Sequence, residues 1–354
     1  MMVKDKYAYM VCVKCWTYNQ SRFIEDALNG FCMQQTDFPY VCVIVDDAST
    51  DGEQGVIGEY LKNNFLYIDN TAVRNEETED YTSIFARHKT NKNCFFAVIF
   101  LKYNHYQKKS KEPYIKCWTE KSKYIAMCEG DDYWIVPFKL QKQVDYMETH
   151  PECSMCCHNA YRLNSDTGRR VGLFRIYNSS RTVRRLHLFR DGGFLPLASY
   201  LMRQSMFGDR FTAFPIHKMA GDIRINVFAS IVGDVYYQND PMSVYRLNPM
   251  SVTHLAMKDR QKSIERQNYF INWYKNVDEY TEFKYHKEFD ASIAFCEARI
   301  IRLEKRYFHL WNPRYWPYLG YMTPITRLGL LIGMLGLSFV PDFGRKLKKK
   351  LKMN

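Results

Sequence analysis

Three apolar, β-branched or aromatic runs of strand length constrain this chain most: YAYMVCVKCW (7–16), YVCVIVDD (40–47) and KYIAMCEGDD (123–132). Each breaks off in polar residues, and each is followed by a segment with helical spacing. After the first run, Phe23, Ile24, Ala27, Leu28 and Phe31 recur on one face, with Ser21 placed to cap the start. After the second, ASTDG turns the chain toward a helix near 53–64, and LYIDN (66–70) is a further strand candidate. After the third, Leu140, Val144 and Met147 keep helical spacing, and Pro137 sits near the helix start, where a missing N–H costs little. Strands alternating with helices predict an α/β fold of parallel β-α-β units, whose ligands collect at the carboxyl ends of the strands.

Elsewhere the pattern is less decisive. Within 71–112 the run CFFAVIFL reads equally as helix or strand. CSMCCHNAYRL (153–163) reads as a strand leading to a turn at Asp166, Thr167 and Gly168. The stretch 182–252 is mixed. It holds a helical AGDIRINVFASIVG and, in VYYQNDPMSVYR, two strand-like pieces around a turn at Asn239, Asp240 and Pro241. From about 256 to 310 the chain is helical and charged, with Ile293, Phe295, Ala298, Ile300 and Ile301 on an apolar side.

The segment LGLLIGMLGLSFV (328–340) has thirteen uncharged residues. As a helix it is about 20 Å long, against about 30 Å for a bilayer core, so it is too short to span. The six basic residues of RKLKKKLK (345–352) follow closely, a pattern that fits a segment lying in a membrane interface against acidic headgroups. The alternative is a C-terminal helix packed on the protein with a solvated basic end. This tail, with one nearby acid at Asp342, supplies five units of the net charge of +12. The remaining excess, about +7, admits nucleotide phosphates, acidic lipids or nucleic acid as partners. The charged start MMVKDKYAYM lacks the apolar stretch of a signal peptide, and eleven cysteines is an odd number, so a reducing cytoplasmic setting is expected. Cys12 and Cys15 form C-x-x-C, and Cys153, Cys156 and Cys157 crowd together, but no matching pair stands at zinc-finger spacing; buried thiols are the simpler reading.

The acidic groups carry the chemistry. Asp46 and Asp47 end the second strand, and Glu129, Asp131 and Asp132 end the third; 84 residues separate Asp47 from Asp131. Crowded carboxylates repel, and a divalent cation explains their company: Mg²⁺ or Mn²⁺ takes one or two carboxylates together with phosphate oxygens. The implied substrate carries a diphosphate, which such a cation would make a better leaving group. Neither a Walker-type loop nor G-x-G-x-x-G occurs, which argues against a kinase, an NTPase or a dinucleotide enzyme.

TYNQSRFIEDAL, VIVDDASTDG and KYIAMCEGDDYWIVPFKLQKQVDYMETHP together resemble glycosyltransferase family 2, particularly bacterial members that build surface polysaccharides. The resemblance covers roughly residues 8–160, weakens to 255 and ends there. It implies a GT-A fold, a Rossmann-like, mostly parallel sheet flanked by helices, over 1–255. A helical C-terminal region (256–354) would follow, with an apolar and basic membrane-associating tail from about 320. By the same resemblance the enzyme is inverting and its donor a nucleotide sugar, UDP being the favoured nucleotide. Thr17 and Tyr18 match the donor-binding loop, and Asp46 or Asp47 the carboxylate that reads base or ribose. Asp131 and Asp132 match the metal ligands, with Glu129 where the family more often has Asp. Trp134 is either an aromatic wall for a sugar or a core residue. Asp222 matches the general base, with Asp234 as competitor. Arg246, in the Tyr-Arg segment, is placed to touch diphosphate; Asn248 stands where His is common, and His254 receives no role. The acceptor would be a glycan or lipid-linked saccharide, and the expected location is peripheral, on the inner face of the cell membrane. A sugar nucleotidyltransferase and a nucleic-acid-binding protein are the competing readings; neither is favoured, since the glycine-rich loop of the first is missing and acidic clusters oppose the second.

Overall fold

The computed structural model describes residues 7–68, 76–106, 108–190, 195–217, 221–247 and 259–320, with 327, 328, 330, 331 and 334. His254, Asn248, Gly329, Gly333 and the lysine run lie outside the described residues. The chain divides into two compact units, the first formed by Met1–Val183, Gly193–Ala213 and Ile225–Asn248, the second by Arg184–Gly192, Phe214–Arg224 and Pro249–Asn354. The expected single cut at 255 is therefore interleaved, and Asp222 belongs with the C-terminal unit.

The first unit is built on one mixed sheet. Its strands are β1 (Tyr9–Thr17), β2 (Tyr40–Asp46), β3 (Phe65–Tyr67), β4 (Tyr81–His88), β5 (Cys94–Leu101), β6 (Ser122–Met127), β7 (Tyr133–Trp134), β8 (Cys153–Asn164), β9 (Arg170–Leu173), β10 (Arg181–Thr182), β11 (Leu201–Arg203) and β12 (Asp234–Leu247). The spatial order is β10-β12-β8-β11-β6-β1-β2-β5-β4-β3, with β7 paired to β12 and β9 to β8. β6, β1, β2 and β5 run parallel. β11 enters antiparallel between β6 and β8, and β8 and β12 are again parallel. Helices α1 (Ile24–Cys32), α2 (Glu53–Asn64), α3 (Glu112–Thr119) and α4 (Lys139–Thr149) make the crossovers; α5 (Arg185–Arg190), α6 (Asp209–Ala213) and α7 (Gly221–Val232) follow.

Burial explains these choices. All seven residues of β2 are buried, as a central strand covered on both faces requires. CFFAVIFL is β5, a strand between β2 and β4: Phe95 to Phe100 pair on both edges, which a helix could not do. α1 turns Ile24, Ala27, Leu28 and Phe31 inward; the three large ones each contribute about 1.5–3 kcal/mol by leaving water. Ser21 does not cap this helix. Its backbone N–H donates instead to Asp51 Oδ2 at 2.9 Å, and the helix starts at Ile24 without a side-chain cap. VYYQNDPMSVYR lies within one strand, β12, whose register shifts against β8 between Gln238 and Ser243 absorb the expected turn.

The cysteines are packing residues. All eleven are free, and burial pushes the Cys12 thiol up to about 12 and Cys42 to about 11. Cys12 and Cys15 both lie in β1, where an odd separation sends side chains to opposite faces, so they cannot share a metal.

In the second unit, Asp259 caps the helix Arg260–Tyr280 by accepting the Lys262 N–H at 3.0 Å. Phe189 of α5 stacks on Phe289 of the helix His286–Leu303, ring centres 4.5 Å apart, and the Tyr274 hydroxyl donates to the Phe189 carbonyl. A smaller core joins Phe295, Ala298, Ile301, Leu310, Tyr318, Leu330 and Met334. Among the described residues no helix is long and apolar enough to cross a membrane.

One close approach fixes the loop after β6 against the end of β1. The Gly130 N–H donates to the Trp16 carbonyl at 3.1 Å, and a Cβ at position 130 would lie 2.7 Å from Thr17 Cβ and 3.2 Å from Ile24 Cδ1. Gly130→Ala is expected to lower stability by about 1–3 kcal/mol, the range for overpacking. Urea unfolding measures this; an unchanged midpoint would mean that the loop retreats freely.

Candidate functional site

Three loops meet at the carboxyl edge of β1, β2 and β6. Thr17 at the end of β1 stands beside Asp46 at the end of β2, and the Cys128 N–H, leaving β6, donates to the Lys14 carbonyl at 3.1 Å. Glu53, buried at the start of α2, ties the first two loops together. It accepts the Thr17 hydroxyl, the Gln20 N–H at 2.8 Å and the Ser49 hydroxyl at 2.9 Å. Burial raises its carboxyl, and these three donors oppose that rise. Asn19 adds two further links, donating its N–H to Ser49 Oγ at 2.9 Å and accepting the Thr50 N–H at 2.8 Å. The adjoining Tyr18 is 45% exposed at this edge, whereas Thr17 is buried in the Glu53 network.

The two aspartates that the sequence left open differ in what they hold. Asp47 has both oxygens engaged: Oδ1 accepts the His105 N–H at 2.7 Å and Oδ2 pairs with Lys111 Nζ at 2.8 Å. Its carbonyl also accepts Asn104 Nδ2 at 3.0 Å, so Asp47 anchors the segment after β5. Asp46 receives the Ser49 N–H at 3.0 Å and Gln54 Nε2 at 2.6 Å, both on Oδ1. Its Oδ2 is buried without a hydrogen-bond partner among the described residues. An orphaned buried acceptor costs about 1–3 kcal/mol, which a donor group on a ligand would offset. Ala48, between this pair and the turn, is held at φ 60° in the left-handed region, a strained conformation for a residue with a Cβ.

In the acidic loop Glu129 is exposed, Asp131 half-buried and Asp132 buried. Arg246 near the end of β12 clamps it: its N–H donates to Asp132 Oδ1 at 3.0 Å and its guanidinium to the Asp131 carbonyl at 2.6 Å. The same guanidinium pairs with Asp26 of α1 and lies between the Phe23 and Tyr133 rings, 4.7 and 4.5 Å from their centres. Arg246 is thus a structural clamp in this structure, with Asp131, Asp132 and Asp26 already on it. Burial raises the Asp131 carboxyl; Asp132 is pushed well up by burial first and then by Asp131.

This donor set fits a hard divalent cation. It offers carboxylate oxygens short of positive charge, with Asp131 the side chain that the clamp leaves uncommitted and Asp132 holding one oxygen on Arg246. Among the described residues no group of three or more His, Cys, Asp or Glu side chains is arranged to enclose an ion. The remaining ligands would therefore come from phosphate and water, as Mg²⁺ and Mn²⁺ prefer.

Three sequence-based assignments change. Trp134 is no sugar wall: it is 1% exposed, its indole N–H donates to the Ala198 carbonyl at 2.7 Å, and Phe31 meets it edge-on at 5.0 Å. Asp234 opens β12, whereas Arg246, near that strand's other end, touches the acidic loop. At about 3.3 Å per residue the strand separates Asp234 from that loop by on the order of 35 Å, which removes it as the competing base. Arg246 itself is occupied as described. Asp222, at the start of α7, is half-buried; burial pushes its carboxyl up to about 6, against the opposing pull of the Ile223 N–H and the Arg266 guanidinium. Glu53, Asp26 and Lys139 escape the sequence reading. Lys139 is fully buried, with Nζ 3.8 Å from the centre of the Trp134 ring and no hydrogen-bond partner among the described residues.

No family model matches the chain. Among curated proteins, uncharacterized proteins Rv1520 of Mycobacterium tuberculosis and Mb1547 of Mycobacterium bovis are each 30% identical over 253 residues, which is 72% of this chain. The match spans 63% of the length of those relatives. Among solved structures, S. aureus TarS 1–349 in complex with UDP-GlcNAc superposes with a TM-score of 0.52 at 15% identity, covering 96% of this chain and 83% of that one. Mannosyltransferase PcManGT from Pyrobaculum calidifontis, in complex with GDP-Man and Mn²⁺, gives 0.47 at 14%, covering 97% and 84%. With strand order, crossovers and the TarS superposition in agreement, the fold is the GT-A fold expected from the sequence.

Proposed function

We propose that the chain is a divalent-cation-dependent, inverting glycosyltransferase of the family 2 type. It would move a sugar from a nucleoside-diphosphate donor, UDP being the favoured nucleotide, to a glycan or lipid-linked saccharide during surface polysaccharide synthesis. The observation that carries this reading is the pairing of an orphaned acceptor, Asp46 Oδ2, with a charge-deficient acidic loop on one edge of the same parallel strands. UDP-GlcNAc and GDP-Man in the fold neighbours named above are in keeping with it. The basic tail would hold the enzyme at the anionic inner face of the cell membrane.

In this reading Asp46 accepts a hydrogen bond from the donor's base or ribose, Tyr18 covers the nucleoside, and Asp131, with Asp132 behind it, would hold the cation. When bound, the cation supplies neutralisation of charge on the departing diphosphate. Asp222 takes the proton from the acceptor hydroxyl. The acceptor oxygen forms its bond to the anomeric carbon on the face opposite the diphosphate, the bond from that carbon to the diphosphate oxygen breaks, and the electron pair leaves with the nucleoside diphosphate.

A screen of nucleotide sugars by thermal shift, with and without Mn²⁺, tests the donor: at 100 times Kd a true donor stabilises the fold by about 2.7 kcal/mol. Released nucleoside diphosphate supports transfer, whereas released pyrophosphate would make the chain a nucleotidyltransferase. Asp131→Asn should abolish transfer and the Mn²⁺-dependent shift while the chain stays folded, because Arg246 grips the Asp131 carbonyl and not its side chain.

The two neighbouring aspartates should separate. Asp46→Asn is expected to weaken donor binding about tenfold or more with little change in unfolding, since its engaged oxygen can still accept. Asp47→Asn should cost stability by loosening Lys111 and the segment after β5. Equal donor affinity in Asp46→Asn and wild type would move base reading elsewhere.

Asp222 gives a pH signature. As a base it must be ionised, so kcat should fall as pH drops through about 6. Its raised carboxyl favours the protonated form in the fold, so its contribution to stability is complete at low pH and is lost as pH rises through about 6. Asp222→Asn should therefore be inactive, yet at pH 8 more stable relative to wild type than at pH 4. Retained turnover by the purified variant would refute the assignment.

A further inference from the structure

The second unit carries an apolar surface that its own core does not use. Phe308 is 76% exposed, Trp311 45% and Trp316 55%. Phe308 and Trp311 lie three residues apart in the 3-10 segment Tyr307–Trp311, where that spacing brings side chains into line. The Trp311 indole N–H donates to the Met334 carbonyl at 3.1 Å, which sets this segment against the helical residues Arg327, Leu328, Leu330, Leu331 and Met334. Leu330 and Met334 enter the small core. Leu328 and Leu331 do not; they are 60% and 37% exposed. Single exposed apolar residues are ordinary, but large aromatic and leucine side chains concentrated between positions 308 and 331 of one unit mark a region that something covers.

Charge says what covers it. From Lys305 to Asn354 the sequence holds ten Lys and Arg against one acid, Asp342. Arg306 is paired with Glu304 and Arg314 with Asp290 and Glu297, and Arg327 is committed to the Leu319 and Gly320 carbonyls. The six basic residues of 345–352 have only Asp342 nearby in sequence. A covering partner must therefore be apolar and anionic together, as the boundary between anionic headgroups and acyl chains is, and tryptophan favours that boundary.

We propose that this surface of the second unit rests on an anionic bilayer, with Phe308, Trp311, Trp316, Leu328 and Leu331 entering the headgroup and acyl boundary. It rests on the reading that the chain works at a membrane and deepens it: the anchor is the folded aromatic surface together with the basic tail, and not the tail alone.

Flotation of the full chain tests it, with vesicles of phosphatidylcholine alone and of phosphatidylcholine mixed with phosphatidylglycerol. Wild type should float with the mixed vesicles. Phe308→Ser combined with Trp316→Ser should lower that binding by about tenfold or more while keeping the unfolding midpoint and transfer to a soluble acceptor. Trp311 is left intact because its N–H holds Met334. Lipids brominated in the acyl chains should quench bound wild type, and chiefly Trp311 and Trp316, since Trp118, Trp134 and Trp273 are buried and Trp16, half-buried, belongs to β1 of the first unit. Unchanged flotation of the double variant, or no quenching of vesicle-bound chain, overturns the proposal. Loss of flotation in Lys348→Gln/Lys349→Gln/Lys350→Gln with an unaffected aromatic variant would leave a purely electrostatic tail and also overturn it. So would self-association without flotation, which would assign the surface to a second copy. None of these outcomes bears on glycosyl transfer, which is read separately with the soluble acceptor.

Discussion

Burying carboxylates without matching positive charge is the constraint around which the first unit is arranged, and Arg246 is its principal answer. One guanidinium holds the Asp131 carbonyl and Asp26, and the same residue's backbone holds Asp132. It is itself shielded by two aromatic rings. Two unit charges 4 Å apart interact by about 4 kcal/mol at an effective dielectric near 20, so one cation can organise this loop but cannot neutralise Glu129, Asp131, Asp132 and Asp26 together. Burial raises the carboxyls of Asp131 and Asp132, and Asp131 raises Asp132 further. The same arrangement thus builds the loop and leaves it short of positive charge at its half-buried member.

The neighbouring edge solves a similar problem with hydrogen bonds. Glu53 is buried with no basic partner among the described residues and is held by two hydroxyls and an N–H from the loops it joins. The loops after β1 and β2 are therefore fixed to one another before any ligand arrives, which reduces the ordering cost of binding. Asp46 and Asp47, adjacent in sequence, differ in their engagement: Asp47 organises the segment carrying His105 and Lys111, while Asp46 has one buried oxygen with no partner among the described residues.

What the sequence made legible was local. Apolar runs, helical spacing and the acidic strand ends correctly indicated β1, β2, β6, α1 and α4, because each depends on neighbours within a few residues. CFFAVIFL was ambiguous because an eight-residue apolar run satisfies both periods, and only its pairing with β2 and β4 decides. Asp222 and Asp234 each follow a glycine and look alike in sequence; strand direction removes Asp234, and strand direction is not written locally. Trp134 stayed open between sugar wall and core because its neighbours in sequence are acids, and only its neighbours in space, Phe31 and Lys139, decide for the core. The Arg246–Asp26 pair joins residues 220 apart, beyond the reach of any spacing argument.

Lys139 shows how far the charge constraint extends below the surface. It opens α4 as a fully buried lysine whose Nζ lies over the face of Trp134 and has no hydrogen-bond partner among the described residues, and burial lowers it to about 7. The groups around it are the Cys128, Cys156 and Cys42 thiols and His158, none of which is an anion at neutral pH in such surroundings: burial raises each thiol and holds the imidazole neutral. Cys128, however, also feels Asp132 and Asp131, so the ammonium and the acidic loop act on one thiol from two sides. A buried cation with no acceptor would ordinarily be selected against at a cost of several kcal/mol. Here the Trp134 ring face, 3.8 Å away, supplies negative potential. Arg246 therefore organises the acidic loop directly, whereas the lysine in the core is held by a ring face and meets that loop only through the Cys128 thiol on which both act.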